Sequence, residues 1–216
     1  MSGNYEKDTR AAYQNESKAL SYRRQHMDGF SWARFTMWRE ISSVAKALKH
    51  FGVSENDLII DMPCGTGVAG SVLGRHPGRT LAIDISQQMM DQAEGEYLST
   101  GFMGFVQADI TKMPLSDRVA TGIAILGFMH RVPIDVKKSA LDEVARICKR
   151  FAVVSFTVDS LIQRLKKKLL VIIFRQHSSA PAPMRLTEIE KLVNSSGFAM
   201  RRVEKIAPPV SGEVVL

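Results

Sequence analysis

No apolar run in this 216-residue chain approaches the roughly 20 residues of a membrane-spanning helix, so no helical span is expected. Cysteine is scarce. Cys64 and Cys148 stand far apart without metal-ligand spacing, which argues against a structural zinc site and fits a reducing compartment. The first ten residues, MSGNYEKDTR, hold no apolar signal core, so a cytoplasmic protein is expected. What is present is ordinary for one globular domain with appendages, 45% hydrophobic and 24% charged residues being enough to bury a sizeable core.

Charge is unevenly spread. Residues 1–50 carry 9 Lys/Arg against 5 Asp/Glu, residues 51–160 carry 10 against 13, and residues 161–216 carry 10 against 4. Basic flanks around a mildly acidic centre suit an anionic partner, or a solvated surface with none.

The centre alternates two kinds of pattern. Segments 57–61, 79–84, 104–109, 119–128 and 151–158 are short, β-branched and nearly continuously apolar, as strands buried on both faces should be. Between them, Met89, Met90, Ala93 and Tyr97 follow the N-cap candidate Ser86 at helical spacing, and Leu141, Val144, Ala145 and Cys148 repeat the pattern. This alternation predicts an α/β fold, a doubly wound parallel sheet covered by helices on both faces. The link ITKMPLSDR is too short for a full crossover helix. Ile41, Val44, Ala45, Leu48 and Phe51 mark a helix ended by Gly52; Thr187 and Glu190 read as a capping box, and Gly197 as that helix's end. FAMRRVEKIA and GEVVL form a closing hairpin. The domain reading is an N-terminal helical lid over residues 1–50 and a main domain over 51–216, with an insertion at 161–183.

The stretch DMPCGTGVAG, residues 61–70, contains G-x-G-x-x-G after a strand and before a helix. Asp84, at the end of the second strand, lies 19 residues after Gly65, where a carboxylate can accept both ribose hydroxyls of an adenosine. Asp61 stands where a pyrophosphate would meet unwelcome negative charge, whereas an ammonium or sulfonium would be favoured. Asp109 ends the third strand as an acceptor for an adenine amino group. The Tyr-x-x-x-Lys of short-chain dehydrogenases is absent.

On LIIDMPCGTGVAG, LAIDIS with its following MM, FVQADITKMPLSD and ILGFMHRV, the sequence resembles the class I S-adenosylmethionine-dependent methyltransferases, most closely the branch acting in ubiquinone and menaquinone biosynthesis. The resemblance spans residues 50–160 and departs at Pro63-Cys64, where glycine is more usual. It implies a Rossmann-like seven-stranded sheet, six strands parallel and one antiparallel, with S-adenosyl-L-methionine as cofactor. Asp61, Gly65, Thr66 and Gly67 would line the methionine part. Asp84 would hold the ribose and Ile85 the adenine face. Asp109 and Ile110 would read the adenine edge, and backbone near Leu126 and Gly127 would face the ammonium. Arg34 and Arg39 are candidates for the cofactor carboxylate, on a lid-like aromatic segment that could equally be a core helix.

His130, at the carboxyl end of the fourth strand, is the candidate general base, with His26 and His177 weaker ones. No Asn/Asp-Pro-Pro-aromatic motif follows that strand, no acidic cluster suggests a metal, and neither cysteine is placed like a pyrimidine-attacking nucleophile. The expected acceptor is therefore oxygen or carbon of a small or lipid-like molecule, with nucleic acid disfavoured. Segment 161–176, with Lys166, Lys167 and Lys168 beside an apolar face, is a candidate contact with an anionic membrane surface, placing the protein in the cytoplasm or peripheral to a membrane. RNA methylation, a nicotinamide-dependent oxidoreductase and a non-catalytic cofactor-binding subunit remain the competing readings.

Overall fold

A computed structural model describes residues 20–21, 23–24, 32–159, 183–206 and 213–216. The expected base candidates His26 and His177, nearly all of the insertion at 161–183, and Tyr5, Tyr13, Tyr22 and Phe30 lie outside the described residues.

The elements are α1 (Trp32–His50), β1 (Leu58–Asp61), α2 (Gly70–Leu73), β2 (Arg79–Asp84), α3 (Gln87–Ala93), β3 (Phe102–Gln107) and β4 (Ala120–Ile125), then a 3₁₀ turn (Met129–Arg131), α4 (Ile134–Ile147), β5 (Cys148–Thr157), α5 (Leu186–Ser195), β6 (Glu204–Lys205) and β7 (Glu213–Val215). They form one seven-stranded sheet in the order β3-β2-β1-β4-β5-β7-β6. The pairs among β1 to β5 are parallel, while β7 runs antiparallel to both its neighbours. Strand order reverses between β1 and β4, which opens a crevice at their carboxyl ends.

The strands are apolar on both faces because each face meets helices. Ile60 and Ile123 belong to a core completed by Leu141 and Val144 of α4 and Ile189 of α5. Their chain neighbours Ile59 and Ala124 point the other way, into a core with Val44 and Leu48 of α1, Leu73 of α2 and Met90 of α3. Gly122 of β4 lies under the Phe151 ring, where an added Cβ would be 2.4 Å from the ring edge.

Several local expectations change. The second half of α1 packs into the core through Val44 and Leu48, while in its first half Phe35 and Trp38 are exposed. Gly52, at φ +58°, does end α1: its N–H donates to Lys49 and that of Val53 to Leu48, satisfying two last-turn carbonyls. Cys148 starts β5 and is not the next turn of α4. The helix α5 begins one residue before Thr187, at Leu186 with Arg185 as its N-cap, and Glu188 caps it by accepting the Arg185 N–H at 2.9 Å. Arg185 has no acceptor to complete a box, so its guanidinium pairs with Glu188 instead. The closing hairpin exists, though its strands are only two and three residues long.

The helix-free link from β3 to β4 is held by α4. Glu143 accepts the Met113 N–H at 2.6 Å, and Arg146 donates to the carbonyls of Leu115 and Met113 and to Asp117. That clamp fixes the stretch leading away from Asp109.

Candidate active site

A cavity of 290 Å³ opens at the strand-order reversal, and the loop after β1 forms its floor. The loop is tied to both neighbouring strands: Met62 N–H donates to the Ala124 carbonyl of β4, and Cys64 N–H to the Ile83 carbonyl of β2. At Gly65 the chain turns with φ +54°, and nothing lies within 4 Å of where a side chain would begin. Gly67 and Gly70 serve differently. A Cβ on Gly67 would lie 2.9 Å from the Glu96 Cβ, and one on Gly70 2.7 Å from the Glu96 carbonyl oxygen, so these two let the loop pack on the end of α3.

Asp84 is the centre of the arrangement. Its Oδ2 accepts the Gly65 N–H at 2.8 Å and its Oδ1 the Ser86 N–H at 2.9 Å. The Ser86 hydroxyl in turn caps α3 by accepting from Met89 N–H. Each carboxylate oxygen has a second lone pair, so Asp84 is oriented without being saturated. Burial raises its pKa, against which the Ser86, Gly65 and Ile85 amides pull down.

Asp61 is 2% exposed and accepts a 2.5 Å hydrogen bond from the Tyr97 hydroxyl. Burial lifts its pKa to about 7; the Tyr97 bond lowers it and the nearby Asp84 charge raises it further. Burial, with these same two carboxylates, also holds the Cys64 thiol well above its ordinary value. Among the described residues no Lys or Arg forms an ion pair with Asp61 or Asp84. Two buried carboxylates in one cavity without a counter-ion match a ligand that brings both hydroxyls and positive charge.

The sequence-derived residues divide clearly. Asp61, Gly65, Thr66, Asp84, Ile85, Asp109, Ile110 and Leu126 line the cavity, with Gly127 beside them. Gly67, Arg34, Arg39 and His130 do not. Arg39 donates from Nε to the Ile206 carbonyl at 3.1 Å, which employs it in joining α1 to the residues after β6. His130 sits half-buried in the 3₁₀ turn, while Phe128, just before the turn, and Arg131, at its end, line the wall. Asp109 folds its Oδ1 back onto the N–H and hydroxyl of Thr111. Tyr97 was legible only as an apolar helix position. Its ring stacks on Phe102 at 4.8 Å, and its hydroxyl needed a partner once buried, yet nothing in the sequence singles out Asp61 as that partner.

Residues 59–150 match the family model for a methyltransferase domain. The chain is 29% identical over 149 residues to malonyl-[acyl-carrier protein] O-methyltransferase of Marinomonas sp. (strain MWYL1), covering 64% of this chain and 53% of that protein. On the family match, residues 59–150 resemble a methyltransferase domain. The chain thus spans about half the length of the curated relative it matches. The methyltransferase fold extends over almost all of it: magnesium protoporphyrin IX methyltransferase from Synechocystis PCC 6803, with bound S-adenosylhomocysteine, superposes with a TM-score of 0.80 at 18% identity, covering 96% of each chain. A Burkholderia thailandensis 1,6-didemethyltoxoflavin-N1-methyltransferase gives 0.64 at 15% identity, covering 96% of this chain and 87% of that one. The cofactor of such a methyltransferase domain is S-adenosylmethionine, and the uncompensated Asp61, the oriented Asp84 and the open cradle at Gly65 fit it. Among the described residues no helix is long and apolar enough to cross a membrane, and no group of His, Cys, Asp and Glu could hold a metal.

Proposed function

We propose that the protein transfers a methyl group from S-adenosylmethionine to oxygen or carbon of a small or lipid-like acceptor. The observation that carries this reading is the pair of buried carboxylates, Asp61 and Asp84, facing one cavity whose further wall is apolar. Asp84 holds the ribose hydroxyls. Asp61 receives the ammonium of the methionine part, and Gly65 and Thr66 leave room for it. Ile85 packs on the adenine, whose edge Asp109 and Ile110 read. Arg34 and Arg39 are left out of this set because neither lines the cavity.

The cofactor supplies an electrophilic methyl on a positively charged sulfur. The protein must then place the acceptor, exclude water and take up a proton where the acceptor has one to lose. Phe128, Val132, Pro133 and Val136 form an apolar wall beyond the carboxylates, suited to an acceptor with apolar surface. His130, between Phe128 and Val132 of that wall in the chain, is the proposed proton acceptor for an alcohol or phenol. A contact of segment 161–176 with an anionic membrane would bring the protein to a lipid-like acceptor.

Calorimetric titration of S-adenosylhomocysteine and of NADH, separately, tests the reading on wild type and Asp84→Ala. Losing the ribose contacts and orphaning two amides should weaken S-adenosylhomocysteine about 10- to 100-fold, the range for hydrogen bonds to a charged group. NADH binding alone would make the protein an oxidoreductase instead.

A further inference from the structure

The helix α1 buries one side against the sheet, and its other side has a one-sided composition. Its 19 residues include a single acid, Glu40, which is 3% exposed. Arg34, Arg39, Lys46 and Lys49 are all exposed. Among these cations stand two aromatic side chains, Phe35 at 42% and Trp38 at 60% exposure. At 3.6 residues per turn the six positions share an arc of about 140°, with Val44 and Leu48 turned to the core. An aromatic pair left in water beside four cations, with no acid on the same face, is the composition of a helix surface that lies at a lipid–water interface.

Strand register shows which end of the molecule carries the aromatics. Phe51, just after the helix, stacks on Phe151 near the start of β5, with ring centroids 4.2 Å apart. Ser43 and Lys46 donate to Glu204 at 2.8 and 2.9 Å, and Glu204 is level with Ser155 through Val215. Arg39 reaches the carbonyl of Ile206, one residue beyond Lys205, which is level with Phe156. As residue numbers fall, α1 therefore runs from the start of β5 toward its end. Trp38 and Phe35 come last, at the carboxyl ends of the parallel strands, the end where the cofactor cavity opens. The strand β6 extends the basic surface: Arg202 and Lys205 are exposed on either side of Glu204, whose carboxylate is held by Lys46 and Arg202.

We propose that this face of α1 docks on an anionic membrane surface, Trp38 and Phe35 entering the headgroup layer and the flanking cations meeting lipid phosphates. Charge complementarity selects the occupant: a cation close to an anionic bilayer strengthens binding about fivefold, and the buried aromatic area adds to it. The bilayer then faces the same end of the sheet as the cavity. This surface is distinct from segment 161–176. It is also independent of the methyl-transfer reading, because none of its residues lines the cofactor cavity, so vesicle binding and S-adenosylhomocysteine binding can fail separately.

The test is flotation of the full chain with phosphatidylcholine vesicles containing about one-third phosphatidylglycerol, against vesicles of phosphatidylcholine alone. The protein should float with the anionic vesicles and bind the neutral ones at least about tenfold more weakly. Phe35→Ser/Trp38→Ser should weaken the anionic vesicles at least about tenfold, and Trp38→Ser alone, at the more exposed ring, at least about fivefold with S-adenosylhomocysteine affinity and Tm unchanged. Arg34→Gln/Lys49→Gln should weaken them about 25-fold and flatten the salt dependence. Absence of flotation, equal flotation with neutral vesicles, or wild-type flotation of the aromatic variants overturns the proposal. So does flotation that is lost in Lys166→Gln/Lys167→Gln/Lys168→Gln but kept in Phe35→Ser/Trp38→Ser, which would assign the contact to segment 161–176. A short RNA bound where vesicles are not would mark the face as a nucleic-acid surface and overturn it equally.

Discussion

Removing the charge of Asp61 should change how the ligand-free protein responds to pH. The folded-state pKa is about 7 against a model value of 3.8. A shift of about three units at 1.36 kcal/mol each corresponds to roughly 4 kcal/mol. Because the folded state binds this proton more tightly, it holds more protons than the unfolded state between pH 4 and 7. Stability therefore falls as pH rises through that window. Below it both states are protonated and the cost vanishes; above it both are ionised and the cost is complete and constant. Between pH 5 and 8 the wild type should lose roughly 3 kcal/mol from this group, which for a domain of this size is about 6–12 °C in Tm.

The variant Asp61→Asn keeps the shape, and its amide oxygen can still accept from Tyr97, but it cannot ionise. Differential scanning calorimetry of both proteins without ligand should show a shallower decline for Asp61→Asn and a higher Tm than wild type at pH 8. Asp84, raised in the same direction, is relieved of the Asp61 charge in the variant, which flattens its decline further, whereas the lowered groups Asp57, Asp142 and Glu143 contribute equally to both and cancel. The ligand should reverse the ranking. At pH 8 S-adenosylhomocysteine should raise the wild-type Tm more than that of Asp61→Asn, because its ammonium meets the ionised carboxylate. Identical pH slopes for the two proteins would refute the reasoning.

Tyr97→Phe removes the donor that holds the Asp61 pKa down, so cofactor affinity should fall and its pH dependence move upward; isothermal titration at pH 6, 7 and 8 reads both. His130→Ala should keep S-adenosylhomocysteine affinity and lose about 10²–10⁴-fold in turnover once an alcohol or phenol acceptor is found, and unchanged turnover would remove it as the base. Gly122→Ala should destabilise by about 1–3 kcal/mol in urea titration, because its Cβ meets the Phe151 ring within a packed core.

Much of the crevice could be read directly from the chain. Asp61, Gly65 and Asp84 sit at strand ends in a pattern whose geometry is local: a strand delivers its last side chain to a fixed edge, and a glycine permits the turn that follows. Fold class was equally legible, since strands apolar on both faces imply helices on both sides. Tertiary packing decided which members of the pattern meet the cavity. Gly65 faces open space whereas Gly67 abuts Glu96, although both are glycines of one motif. Arg39 looks from the sequence like an anion-binding residue, but its helix lies against the residues after β6, where the Ile206 carbonyl takes its guanidinium. The bond from Tyr97 to Asp61 joins residues 36 apart, and the Arg146 clamp reaches across about 30, contacts that exist only once the helices have settled on the sheet. Sequence fixes what a residue can do through its own chemistry and its local backbone. Which neighbour it meets, and hence whether a buried carboxylate stays charged, depends on distant elements brought into contact by burying the shared core.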